Sequence, residues 1–339
     1  MSNSDAFPGL GDGLRPVLRL NMSGRGQTGA EESDRYQAAL DMAAYADRSG
    51  FATVNVEEHH DVEMGWMPSP LVMAALIAAR TERVGIRASA ILAPLYDPIR
   101  LAEDVAMLDV ASRGRFSFVL GLGYRESEYH LLDRDFERRG DATERLIATL
   151  LQAWTGEPFE YRGRIVHVSP RPYTSPHPPF WYGGMSAVAA RRAARWGLPF
   201  LAAQPMPEVS AVYLAECARL GTVPLLEQFS DLELLFIDPD PDSAWAEIGP
   251  YFLREVDQYA AWTNPGVPRH YDQGGGSIEA LRASGTYQIL TPAQALERAR
   301  QRLDAGRYHP ILHPLAGGLP PARGWACLRL FAEEVLAKL

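Results

Sequence analysis

Lysine is almost missing from this sequence: of 33 basic residues, Lys338 is the single lysine and the others are arginine. No other lysine is available for a Schiff base or a phosphate-binding loop. We read the arginine bias as a genome-level composition effect. Cysteine is nearly as scarce. Cys217 and Cys327 are the two present, which rules out a disulfide scaffold and a cysteine-rich zinc domain. Net positive charge is lacking too. The formal charge of −9 argues against a sequence-blind nucleic-acid binder, which needs a basic face. No run of about 18 apolar residues exists to span a bilayer. The start, MSNSDAFPGLGDG, has neither the basic nor the apolar segment of a signal peptide. The expectation is a cytoplasmic protein that binds neither nucleic acid nor membrane.

What is present is ordinary for a soluble globular chain: 47% apolar and 22% charged residues over a length of 339. Such a chain buries most of its apolar surface without covalent staples. Short apolar or β-branched runs alternate with longer helical patterns. Strands are predicted at 16–21, 51–56, 84–92, 115–120, 179–182, 198–202, 232–237 and 310–314. Helices are predicted at 31–48, 70–80, 98–112, 141–154, 186–196, 208–220, 243–263 and 321–336. Pro70 and Pro98 open their helices behind Ser69 and Asp97, read as caps. Thr291-Pro292-Ala293-Gln294 starts a further helix with capping-box spacing. Residues 159–168 read as a hairpin turning at Arg162-Gly163.

Strand–helix alternation implies a parallel sheet with helices packed outside it. Eight units without a second compositional block favour an α/β fold of the (β/α)8 TIM-barrel type, with insertions at strand C-terminal ends, over an open doubly wound sheet. Residues 1–14 read as a flexible tail and 15–339 as a single domain. Within it, 264–284 is rich in glycine and proline and reads as an irregular insertion, either a lid or a plain loop.

In such a barrel the chemistry gathers at the carboxyl ends of the strands. Glu57-Glu58-His59-His60-Asp61 follows the second strand. Successive residues there point to alternate sides, so one histidine faces the barrel mouth. A histidine relays protons near neutral pH; a hydrogen-bonded structural role is the competing reading. A metal site needs more convergent ligands than His309 and His313 at other strand ends supply. Gly121-x-Gly123 follows the fourth strand, where glycine lets a ligand approach the backbone. Gly183-Gly184-Met185-Ser186-Ala187 joins a strand to a helix. Its amides and serine hydroxyl suit a phosphate, and equally an ordinary N-cap.

Taken together, several motifs resemble the bacterial luciferase-like flavin-dependent oxidoreductases. They are Glu58-His59-His60, Thr81-Glu82-Arg83-Val84-Gly85, Pro98-x-Arg100-x-Ala102-Glu103-Asp104, Leu108-Asp109, Ser112-Arg113-Gly114-Arg115-Phe116, Gly121-x-Gly123-Tyr124, Gly183-Gly184-x-Ser186 and Leu312-His313-Pro314-Leu315. The similarity runs over nearly the whole chain. It implies a (β/α)8 barrel that holds FMN, or the related deazaflavin coenzyme F420, at the strand carboxyl ends. By the same resemblance, His59 is the active-site histidine and Glu58 flanks it. Ser89-Ala90 matches the site of a non-prolyl cis peptide against the flavin ring. Gly121, Leu122 and Tyr124 line the ring. Gly184, Met185, Ser186 and Ala187 form the phosphate loop. Luciferases proper carry a cysteine, an arginine and an acidic residue where this chain has Gly121, Leu122 and Met185, so light emission is not expected.

The expected activity is that of a two-component monooxygenase using reduced FMN and O2 on a small organic substrate. A separate reductase would supply the flavin, because Gly121-x-Gly123 lacks the rest of a dinucleotide fingerprint. A deazaflavin-dependent hydride-transfer enzyme is the alternative, with Arg125, Arg191, Arg192 and Arg195 as candidates for a basic groove. A flavin-binding protein without turnover is a third reading. Met64, Trp66, Met67, Tyr96, Tyr124 and Phe180 are candidate walls of a dry pocket. The resemblance also implies a homodimer, formed through helices near strands two and three.

Overall fold

The computed structural model describes residues 13–227, 233–262 and 275–339. The expected tail up to residue 12 and the 264–274 part of the expected insertion lie outside the described residues.

One all-parallel sheet organises the chain. Strands Val17–Leu20, Thr53–Val56, Gly85–Leu92, Phe116–Gly121, Phe180–Gly183, Phe200–Leu201 and Leu226–Glu227 neighbour one another in chain order. Ile311–Leu312 returns to pair with the first strand and continues to Leu234–Ile237 and Tyr287–Leu290. The return of a late strand beside the first, with helices between successive strands, is the wrapping of the expected (β/α)8 barrel. Strand residues are buried on both faces, as covering by helices requires.

The structure departs from the sequence reading in several places. Among the described residues ten strands join the sheet rather than eight. Tyr287–Leu290 abuts the Thr291 helix cap and merges with its signal, and Leu226–Glu227 is too short to show a period. Gly13 and Leu14 belong to no tail: they pair in parallel with Arg307 and Tyr308. Residues 278–284, placed in the irregular insertion, form the Ile278–Ser284 helix, and an unforeseen short helix spans Glu126–Leu131. Ser69 stands at the N-cap position of the Pro70–Arg80 helix without a side-chain cap bond. Asp97 does cap, accepting from the Ile99 and Arg100 amides, and the Thr291/Gln294 capping box is complete.

Several motif residues hold the amino-terminal end of the barrel. The Asp47 carboxylate accepts from the amides of Glu82, Arg83 and Val84, fixing the turn into the third strand. Asp109 accepts from the Thr174 amide and hydroxyl, tying down the proline-rich connection. Arg113 sits in the left-handed region at φ 56° and ends its helix. Arg115 then donates to the carbonyls of Ala78, Thr81, Val84 and Ser112 and to the Thr81 hydroxyl, over 2.8–3.2 Å. One guanidinium thus closes the carbonyl end of the Pro70–Arg80 helix onto two strands. Arg115→Ala is expected to lower stability by about 2–4 kcal/mol, because four carbonyls lose a charged donor. Urea unfolding measures it. Activity per folded molecule should hold, since Arg115 lies at the end of the barrel opposite the strand C-termini.

Candidate active site

The second strand delivers Glu57 to Asp61 to the barrel mouth, where the two histidines take different partners. His59 Nδ1 lies 2.9 Å from Glu128 Oε1, and the ring is nine-tenths buried. Its Nε2 carries no protein partner among the described residues, so it is the nitrogen available to a ligand. The same Glu128 oxygen accepts from the His60 amide at 3.0 Å and from Arg125 Nη1 at 3.1 Å. Arg125 also donates to the carbonyls of His60 and Asp61. Burial by itself would raise the Glu128 carboxyl; the hydrogen bonds from His59 and the His60 amide and the Arg125 charge outweigh it and hold it below the ordinary carboxylate range.

His60 turns the other way, its Nε2 3.0 Å from Glu58 Oε1. That hydrogen bond raises the His60 pKa above its ordinary value, against the opposing effect of burial. Glu58 also accepts from the Tyr96 hydroxyl and, at 2.7 Å, from the Leu92 amide. Expected as a cofactor contact, Glu58 is thus engaged in pinning the end of the third strand.

Aromatic rings enclose His59. Ring centroids of Trp262, Trp66, Tyr124 and Tyr259 lie 4.6, 5.6, 5.9 and 6.0 Å from its own. Trp66 and Tyr124 were expected walls. Phe180 was also expected there, but it stacks on Phe118 and packs against Trp154, between sheet and helix. Its strand is buried on both faces, so the sequence shows no inward phase. Met64 lies on a groove of about 520 Å³ with Leu253, Arg254 and Ile278, outside the His59 cluster.

Behind the aromatic wall lies a buried charge network that no sequence motif announced. Arg19 pairs with Glu57 and sits 3.2 Å from Glu255. Arg19 Nη2 donates to the Tyr259 hydroxyl at 3.1 Å, and that hydroxyl is 3.2 Å from Glu57. Glu255 also receives His313 Nε2 at 3.0 Å and the Tyr287 hydroxyl at 3.0 Å. Burial alone would raise both carboxyls. The Arg19 charge lowers Glu57, and His313 with Arg19 lowers Glu255, so both stay ionised. His313, considered as a metal ligand, is engaged here.

The remaining predicted residues form a second arc of the mouth. A cis peptide joins Ser89 to Ala90, where the resemblance placed one. A Cβ on Gly121 would meet the Ala90 Cβ at 3.0 Å, so a side chain there would press these two strand ends apart by a few tenths of an ångström. Leu122 gives its carbonyl to the Tyr129 hydroxyl. The Gly184 amide bonds the Leu201 carbonyl at 3.2 Å, and a Cβ on Gly184 would strike Ala189 at 2.5 Å. Met185 is half-buried and Ser186 exposed. Ser186 caps the Ala187–Arg195 helix through the Ala189 amide. The first amides of that helix have no intrahelical partner. Of the arginines expected for a basic groove, Arg192 and Arg195 both pair with Glu144, Arg125 is engaged in bracing His60, Asp61 and Glu128, and Arg191 is exposed on the helix.

Sequence reasoning missed Glu128, Tyr259 and Trp262. Only the Arg125-x-x-Glu128 spacing offered a local sign of the first. Because the folded Glu128 pKa is depressed, its stabilising effect is present above the unfolded value of about 4.3 and is lost as pH falls through the folded one. Glu128→Gln should therefore cost about 1–3 kcal/mol at pH 7, with the difference shrinking below about pH 4. Parallel urea titrations of both proteins across that range check it.

Comparisons with known proteins bear on the fold and the family. The chain is 28% identical over 163 residues to the oxygenase component of a flavin-dependent trigonelline monooxygenase of Acinetobacter baylyi, covering 46% of this chain and 43% of that protein. It spans about half the length of the curated relatives it matches. Its fold superposes on the FMN-bound oxygenating constituent of 3,6-diketocamphane monooxygenase from Pseudomonas putida with a TM-score of 0.71, at 17% identity over 96% of this chain and 99% of that one. An F420-dependent secondary alcohol dehydrogenase superposes with a TM-score of 0.65, at 15% identity over 96% and 98%. The family described as luciferase-like monooxygenase matches residues 19–306. With that match across most of its length, the chain belongs to the luciferase-like monooxygenase family.

Proposed function

We propose that this protein is the oxygenase of a two-component flavin-dependent monooxygenase, taking reduced FMN from a separate reductase and acting on a small organic molecule. The observation that carries the reading is the His59–Glu128 pair, a buried imidazole fixed at Nδ1 by an ionised carboxylate, with Nε2 left for a ligand. Such a pair moves a proton to or from a reacting group, because the carboxylate stabilises the imidazolium that forms. A protein that merely stores flavin has no need of it.

The residues present fit FMN. The exposed start of the Ala187–Arg195 helix suits its phosphate: Ser186 and the amides of Met185 and Ala187 would hold it. Ala90, Gly121, Leu122 and Tyr124 would line the ring, and Gly184 lets the phosphate loop close. When bound, the flavin supplies the redox chemistry. The chain's part is to orient it, to exclude water with the aromatic rings around His59, and to handle a proton at His59 Nε2. The deazaflavin reading is less well served, since Arg192 and Arg195, expected for its acidic tail, are paired with Glu144. We read the assembly as a homodimer, supported by the exposed Val72, Leu76, Met107 and Val110 on two neighbouring helices; sedimentation equilibrium tests it, and a monomer at micromolar concentration would refute it.

Calorimetric titration with FMN and with F420, each oxidised and reduced, tests the cofactor. The expected result is preferential binding of reduced FMN; preference for F420 would overturn the reading. Ser186→Ala should weaken FMN binding by about 1–3 kcal/mol, the worth of one charge-assisted hydrogen bond. His59→Ala should leave FMN affinity in place and slow turnover by about 10²–10⁴-fold. Unchanged turnover would remove His59 from the chemistry.

A further inference from the structure

The mouth of the barrel is divided. Strand ends three to six carry the glycines, the cis peptide and the capped helix assigned above to the flavin. The opposite arc carries Trp66, Tyr259 and Trp262 around His59, backed by Arg19, Glu57 and Glu255. Resting on that assignment, we propose that this second arc binds the substrate, and that the substrate is a planar ring bearing an ionisable hydroxyl, of the phenol class.

Three observations lead there. First, three aromatic side chains contact one another at this place: Trp66 to Trp262 at 5.1 Å, Trp66 to Tyr259 at 5.1 Å and Tyr259 to Trp262 at 5.4 Å between centroids. Such a surface favours a flat π-system over an aliphatic chain. Second, the indole Nε1 of Trp66 is buried with no hydrogen-bond partner among the described residues, in a residue only 6% exposed. An unsatisfied buried donor is costly, and an oxygen acceptor on the ligand removes that cost. Third, the base beside it is His59 Nε2, with Glu128 kept ionised behind it. A hydroxyl on the ring gives its proton to Nε2 and Nδ1 keeps its own toward Glu128, so the new imidazolium faces the phenolate on one side and the Glu128 carboxylate on the other. A ketone or an alkane has no such proton to give.

Trp262 completes this arc, its ring 4.6 Å from that of His59 and 4.3 Å from the Arg125 guanidinium. It is also the cap residue that ends the Pro241–Ala261 helix. Two of the three rings are tryptophans, so binding is readable in tryptophan fluorescence.

The test uses the full chain with 4-nitrophenol, its methyl ether 4-nitroanisole, and 4-nitrocyclohexanol. Fluorescence quenching gives affinity, and the visible spectrum reports whether the bound phenol is ionised. We expect saturable 4-nitrophenol binding with the phenolate spectrum at a pH where the free probe is mostly protonated. Both comparison compounds should bind at least tenfold more weakly. Trp66→Phe keeps a ring and removes the N–H. It should weaken 4-nitrophenol about five- to tenfold, the effect of one lost hydrogen bond, and leave FMN affinity unchanged. Glu128→Gln should bind the probe in its neutral form. Equal affinity for the three compounds, a neutral bound phenol in the wild type, or no effect of Trp66→Phe would overturn the proposal. If the probes behave as expected and FMN does not bind, the cofactor reading fails and the phenol site stands. If FMN binds and the probes do not, the reverse holds.

Discussion

Glu128 Oε1 accepts from three donors at once: the His59 ring, the His60 amide and the Arg125 guanidinium. That one oxygen fixes which nitrogen of His59 faces the protein and which faces the mouth. It also ties the loop after the second strand to the short Glu126–Leu131 helix after the fourth. A carboxylate buried this deeply is tolerable only when its partners overcome the desolvation cost, and here they do. The arrangement is therefore all-or-none: remove one donor, and a buried charge is left under-compensated in the site itself.

The second buried system works in the same way at larger scale. Arg19, Glu57 and Glu255 come from the first strand, the turn after the second, and the Pro241–Ala261 helix. His313 and Tyr287 come from the last strand's end and the Tyr287–Leu290 strand. The network contributes position more than net energy, since replacing such groups by apolar ones can be neutral. Its consequence is geometric. The hydroxyl of Tyr259 is held by Arg19 and Glu57, so the end of its helix is held against His59 and Trp66. The aromatic wall has its rigid support from charges rather than from packing alone.

Local signals in the sequence were read well because they act within one turn. Asp97 and Thr291 cap the helices their spacing announced, and the strand–helix alternation gives the barrel directly. The strand-end position said only that one of two adjacent histidines faces the mouth, and it was the family resemblance that singled out His59. Its partner was not, since Glu128 lies 69 residues away and nothing local relates the two. Tyr259 and Trp262 are further still, on a helix whose periodicity says which face is buried but not what lies under it. Phe180 failed for a different reason: a strand covered on both faces has no hydrophobic phase to read.

The motifs that carry the family resemblance most distinctly turn out to govern different ends of the molecule. Asp47 with the Thr81–Gly85 turn, Asp109 with Thr174, and Arg115 with five acceptors all act at the amino-terminal end of the barrel. They fix how helices and strands join at that end, and they say nothing about chemistry. What the chain does is decided at the other end, where it departs from luciferases proper. At that end Arg125 is engaged in bracing the His59 loop, so its guanidinium is not spare for an anion. On the proposed reading, a flavin phosphate would rest on the helix end at Ser186 and its amides. The less fixed positive charge stands there, the more of the flavin's retention would fall to contacts with its ring.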